Sequence, residues 1–130
     1  MVLEYIGLFV VFGILGWIAD TAYRSVIRKR YFSGTLFPFF APIYGFGGVG
    51  LVLLYTYVPV HPLVQILLGG ALSTLVEYLG GVFCVKVLGR RLWDYSGHRW
   101  HYEGHISALH AFYWVLASAL VRVVFPYLPL

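Results

Sequence analysis

The chain has 130 residues, 61% hydrophobic and 11% charged, with a formal charge of +4 and a mean hydropathy of +0.83. A soluble domain carries about 25% charged residues, and one this short could not hide so much apolar surface. The composition points to an integral membrane protein of one domain with about four spans of ~20 residues each. The basic residues lie in short runs beside apolar segments, not on a basic face with free aromatics, which argues against nucleic acid as a partner.

The first span is expected over residues 2–27. Val2 to Ala19 is apolar apart from Glu4, Asp20 opens a more polar end, and Arg28, Lys29 and Arg30 close the segment. No positive n-region or small-residue cleavage site accompanies it, so it reads as a retained span rather than a signal peptide. The second span is expected over 37–57. Pro38 and Pro42 fall in its opening turns, where a missing amide donor is tolerated or breaks the helix. Gly45, Gly47, Gly48 and Gly50 follow, allowing close helix approach or local unwinding. A short turn containing Pro59 and Pro62 leads to a third span over 63–88, ended by Gly89, Arg90 and Arg91. Residues 89–105 are polar and aromatic, and a fourth span over 106–125 is stopped by Pro126.

The expected fold is therefore all-α, an integral membrane four-helix bundle with loops 28–36 and 89–105 on one side. Those two loops hold the basic residues, so the positive-inside rule makes them cytoplasmic and puts both termini outside. The expected location is the inner (plasma) membrane. The strings Arg28 to Gly34 and Arg90 to Gly97 each run basic, aromatic, Ser-Gly, and each follows a helix with an embedded acid. Two readings stay open: a duplication into parallel two-helix repeats, or unrelated loops shaped by the same charge rule. Small size and glycine-rich faces favour a homo-oligomer. Cys84 is the only cysteine, which rules out an intrachain disulfide and leaves a buried apolar thiol.

Charge inside a span costs at least ~2.5–3.5 kcal/mol per residue at a helix centre. Asp20, Arg24 and Glu77 are such residues. Asp20 and Arg24 are four apart, share a helix face and can pair; the neutralised pair would let Arg24 snorkel. Glu77 has no base three or four positions away, so it must face the bundle, be protonated or pair across helices. With ~1.5 Å per residue, Asp20 lies about 10 Å and Glu77 roughly 15 Å from the cytoplasmic ends of their spans. Tyr44 and His110 fall at comparable heights, so the four spans are expected to bring polar side chains into one pocket near the inner leaflet. Ser73, Glu77 and Gly80 or Gly81 share a face of the third span, and Gly13 and Gly16 are similar in the first; small-residue spacing of this kind means close helix packing.

His98, His101 and His105 would share a face if helical and could then hold a divalent metal, with Asp94 and Glu103 nearby. Gly97 and Gly104 argue against one helix, and the zinc-protease motif is absent. The alternative is an interfacial belt with Trp93, Trp100 and Tyr102. No cofactor is expected.

Gly16-Trp17, Asp20-Thr21, Tyr23-Arg24, Pro42-Ile43-Tyr44-Gly45-Phe46-Gly47, Glu77-Tyr78 and Trp93-Asp94-Tyr95-Ser96 occur in that order, followed by Gly104 and Ile106. Together they resemble the type IV ABC-transporter permease family (CmpB-like), small and mostly bacterial membrane proteins. The resemblance spans Gly13 to Leu116 and implies that Asp20, Arg24, Tyr44, Glu77 and Asp94 belong to a shared pattern. The chain departs from the family, which usually has Glu at Asp20, Cys at Ala41, and Asn and Arg at His101 and His105. The histidines would then be peculiar to this branch.

Three functions fit these residues. The first is a permease-like protein moving a small anionic or amphiphilic solute, with Glu77 and Asp20 exchanging protons and Arg24 holding the anion. The second is an intramembrane enzyme on a lipid-like substrate, with Glu77 or Asp20 as general acid–base and Arg24 and residues 94–105 holding a headgroup. The third is a non-catalytic accessory or assembly subunit. The lipid bilayer is the partner common to all three. The candidate site residues are Asp20, Arg24, Tyr44, Glu77, Asp94 and His110.

Overall fold

The computed structural model describes residues 1–29, 37 and 39–129. Arg30, the first copy of the suspected repeat from Tyr31 to Gly34, and Pro38 lie outside the described residues. The chain forms two compact units, Met1–Val49 and Gly50–Leu130, and the second helix runs through the boundary.

In the first unit, α1 covers Val2–Arg28. Lys29 follows with φ 55, and its amide donates back to the carbonyl of Val26 at 3.3 Å. The helix thus ends inside the basic run, as its sequence indicates. The second helix, α2, covers Pro42–Tyr57 and starts five residues later than expected. Pro42 suits the first helical position, where an amide donor would have no partner. Before it, Phe37 and Phe40 form an isolated antiparallel bridge, Phe39 takes φ 62, and the Ala41 amide donates to the Gly13 carbonyl at 3.0 Å. The chain therefore turns where continuous helix was expected.

Glycines set the packing of this unit. A Cβ at Gly13 or Gly16 would overlap the side chains of Phe40 or Tyr44, and one at Gly45 or Gly48 would overlap Phe9 or Phe12. Each segment thus offers a notch to the other's aromatic rings, the close approach that small residues allow between apolar helices. Phe9 also meets Phe40 and Phe46 with ring centroids 5.5 and 5.0 Å apart.

The second unit holds the end of α2, then α3 (Pro62–Lys86), a two-stranded antiparallel hairpin of β1 (His101–Tyr102) and β2 (Ile106–Ser107), and α4 (Ala108–Val124). His61 Nδ1 accepts from the Leu63 amide at 3.1 Å and Pro62 opens α3. Ser107 Oγ accepts from the His110 amide at 3.1 Å and caps α4, which runs on into a 3-10 turn over Phe125–Tyr127. The fourth span starts at 108 rather than 106 because residues 106–107 are committed to the hairpin.

The buried stripe of α3 is Gln65, Gly69, Ser73, Glu77, Gly81 and Cys84, while Leu67, Leu75, Leu79 and Phe83 are exposed. On α4 the exposed side chains include Phe112, Leu116, Leu120 and Val123, and the buried ones His110 and Ser118. This is the reverse of a soluble helix and is what lipid as solvent requires. Val2–Arg28, Pro62–Lys86 and Ala108–Tyr127 are long and apolar enough to cross a membrane, whereas Pro42–Tyr57 is shorter. At ~1.5 Å per residue α2 covers roughly 24 Å of a ~30 Å hydrocarbon layer. Three of the four expected spans thus have spanning length, and the second is cut short by the turn before Pro42.

Candidate functional site

In the first unit the polar side chains come together at the carboxyl-terminal third of α1. Asp20 Oδ2 pairs with Arg24 Nε at 2.9 Å, both side chains being less than one-fifth exposed. Spacing alone predicted this pair: residues four apart stack on one face, with the acid nearer the helix amino end. The Tyr44 hydroxyl in the first turn of α2 adds a long hydrogen bond to Asp20 Oδ1 at 3.4 Å. Asp20, Arg24 and Tyr44 thus form one cluster.

In the second unit the centre is Glu77, 6% exposed on the polar stripe of α3. Its Oε2 accepts from the Tyr95 hydroxyl at 2.9 Å. The Tyr95 ring stacks on His110 with centroids 3.7 Å apart and planes 4° from parallel. His98 meets both rings edge-on, at 5.9 Å from Tyr95 and 5.1 Å from His110. His110 Nδ1 shares a hydrogen bond of 2.6 Å with Ser107 Oγ, so the residue that caps α4 also fixes the imidazole. One turn from Glu77, Ser73 is 2% exposed and its hydroxyl has no hydrogen-bond partner among the described residues. Glu77 and His110, two predicted site residues, therefore meet through Tyr95, which was not among the candidate site residues.

The connection from 89 to 107 places Tyr95 there. Trp93 Nε1 donates to the His105 carbonyl at 2.9 Å, Asp94 Oδ1 accepts from the Ser96 amide at 2.9 Å, and the Tyr95 amide donates to the Gly104 carbonyl at 2.8 Å. The segment Trp93 to Ser96 is thereby tied to the hairpin, and Tyr95 reaches from it onto Glu77. Asp94 is exposed, with Arg91 Nη1 3.8 Å away. The Ser96 amide holds its carboxyl below the usual carboxylate range. Asp94 builds a turn here.

The histidines do not share a helical face. Glu103 and Gly104 take φ 55 and 72, the His105 amide closes onto the Tyr102 carbonyl at 3.0 Å, and the segment becomes a hairpin. His101 Nδ1 accepts from the Gly104 amide at 3.1 Å, while His105 is buried against Gly81 and lies edge-on to Tyr78. Among the described residues no three His, Cys, Asp or Glu side chains gather as a metal donor set. The helical premise of the metal reading therefore fails.

Burial pushes the His105 imidazole below its ordinary pKa, with Arg91 adding to the shift and Glu103 and Asp94 opposing it. The unfolded chain then binds the extra proton more readily, so stability falls as pH drops below about 6.5 toward the folded value. Melting the protein at pH 7.5 and 5.5 is expected to show a lower midpoint at the acid value. His105→Gln should reduce that difference, and an unchanged slope would remove His105 as a contributor.

This unit holds a second polar group, absent from the candidate residues read from the sequence. Gln65, on the same α3 stripe and 4% exposed, donates from Nε2 to the carbonyls of Tyr55 at 3.3 Å and Val58 at 2.9 Å. Its Oε1 accepts from Arg122 Nε at 2.8 Å. The i, i+4 series from Glu77 through Ser73 and Gly69 leads straight to Gln65, and Arg122 stands within the Ala108–Tyr127 segment.

The family described as "Putative ABC-transporter type IV" matches residues 7–129 of the chain. No curated protein and no solved structure matches it.

Proposed function

The chain belongs to this type IV ABC-transporter family, and we propose that it is a permease-like membrane protein handling a small anionic or amphiphilic solute. In this reading Glu77 exchanges the proton, and the protein acts as a homo-oligomer in the plane of the inner (plasma) membrane. The observation that carries the reading is a carboxyl group buried on a membrane-length helix, with a tyrosyl hydroxyl on one oxygen and the buried Ser73 hydroxyl one turn away. Ionisable groups at such positions are expensive and mark substrate or proton routes. In the first unit the Asp20–Arg24 pair, with Tyr44 beside it, supplies a second proton-exchanging acid and a guanidinium for an anionic group. The enzyme reading has less support. The Ser107–His110 contact is the closest thing to an activated nucleophile, yet Ser107 Oγ is already engaged in capping α4.

The test uses the full chain in vesicles enclosing a pH-sensitive dye, with inorganic phosphate, succinate and a lysophospholipid as probes. At least one probe is expected to drive proton movement in the wild type. Glu77→Gln should abolish that movement and Arg24→Gln should weaken it. Undiminished movement in Glu77→Gln, as a scaffold role would give, sinks the proposal, and so does a wild type silent to all three.

A further inference from the structure

Near the start of α3, the second unit carries a cation that the proposed transport does not use. Arg122 lies in the last turn of α4, and no carboxylate pairs with it among the described residues. Its surroundings are nonetheless ordered. Both amide hydrogens of Gln65 are committed to the carbonyls at the end of α2, which fixes the side chain and aims Oε1 at Arg122 Nε, 2.8 Å away. The Tyr55 carbonyl lies in the last turn of α2, where no intrahelical donor remains for it, and the Val58 carbonyl just beyond also accepts from the Val60 amide at 2.9 Å. The rings of Tyr55 and Phe125 lie 5.9 and 5.6 Å from the guanidinium carbon. The Tyr55 hydroxyl is engaged with Ser118, so it does not compete for the cation's hydrogen bonds.

Nε is thus held from one side and two aromatic rings lie close to the guanidinium. The two Nη groups make no hydrogen bond to a described residue. At ~1.5 Å per residue Arg122 stands about 8 Å inside its apolar segment, where an unbalanced charge is costly. A planar guanidinium fixed through Nε presents its Nη edge as a fork suited to two oxygens of one anion. The geometry points to an oxyanion site here: the Nη edge of Arg122 takes a phosphate group, from a phospholipid headgroup or from free phosphate. Gln65 orients the fork, and Tyr55 and Phe125 shield it.

The site is independent of Glu77, and its test leaves the transport reading untouched. The purified full chain is examined by native mass spectrometry with phosphatidylglycerol against phosphatidylcholine, and by thermal unfolding with added inorganic phosphate. Wild type is expected to retain the anionic lipid preferentially, or to be stabilised by phosphate. A response to phosphate assigns the soluble ion, and retention of phosphatidylglycerol alone assigns the lipid. Arg122→Lys keeps the charge and can snorkel as well, but it loses the fork, so binding should weaken about tenfold or more. Gln65→Glu puts a carboxylate on the guanidinium and should abolish binding while the protein still melts cooperatively. Wild-type binding in either variant, or no binding by the wild type, overturns the site. Should Arg122→Lys fail to fold, Gln65→Glu decides.

Discussion

Tyr95→Ala is expected to lower the stability of the second unit by about 4 kcal/mol, in the range for removing a packed aromatic ring. Tyr95→Phe should cost less, about 2 kcal/mol, the usual loss when a hydrogen bond is broken and its partner stays buried. The difference between the two measures the ring. It stacks on His110 at 3.7 Å, and removing it also takes the edge contact from His98. The hydroxyl donates to Glu77 Oε2 through the 2.9 Å hydrogen bond. A double-mutant cycle separates the two roles. In a Glu77→Leu background no carboxyl is left to strand, so Tyr95→Phe should become nearly neutral, while Tyr95→Ala should keep most of its cost. Equilibrium unfolding in mixed micelles provides the measurement. Equal losses for Phe and Ala would mean that the stack contributes nothing, and an unchanged Phe penalty without Glu77 would disprove the hydroxyl's role.

Local spacing made part of this site legible in the sequence. Asp20 and Arg24 pair because one helical face needs nothing but a helix to bring them together. The inward face of α3 was readable for the same reason, from Ser73 through Glu77 to the glycines beyond. Long-range placement was not readable. Tyr95 reaches Glu77 only because its segment is tied to a hairpin that turns at Glu103 and Gly104. No periodicity announces a non-glycine residue at positive φ. The same turn undid the helical histidine face. Arg122 and Gln65 were missed although each is a polar residue inside an apolar helix. Their meaning depends on the end of α2 presenting its carbonyls to Gln65, a contact between segments that spacing within one helix cannot show. The late start of α2 at Pro42 was a signal in plain view, since proline is at home in a first turn, and it shortens α2 below spanning length.

A second large loss is expected at Gly69, where α3 meets both the end of α2 and α4. A Cβ there would overlap Ser118 Oγ and would come within 2.8 Å of Leu51 Cδ2 and 3.0 Å of the Tyr55 hydroxyl. Leu51, Tyr55 and Ser118 are all buried, so none can swing aside into lipid. Gly69→Ala should therefore destabilise the unit by about 2–3 kcal/mol, at the upper end for overpacking by a single carbon. Ser118→Ala is the informative partner. It removes the overlapping oxygen, yet Tyr55 keeps its hydrogen bond to the Ser118 backbone carbonyl at 2.8 Å, so the hydroxyl is not stranded. The double variant should recover roughly half the loss, with Leu51 and Tyr55 still pressing on the new methyl. Gly7→Ala supplies the contrast, because a Cβ at Gly7 meets nothing within 4 Å and alanine is the better helix former by about 1 kcal/mol. If Gly69→Ala melts with Gly7→Ala, or if Ser118→Ala brings no recovery, the three-way contact at Gly69 does not hold this half of the protein together. Recovery on the stated scale would instead show why the centre of α3 carries glycine: the fold needs Ser118 and Tyr55 at a distance that no side chain on α3 permits.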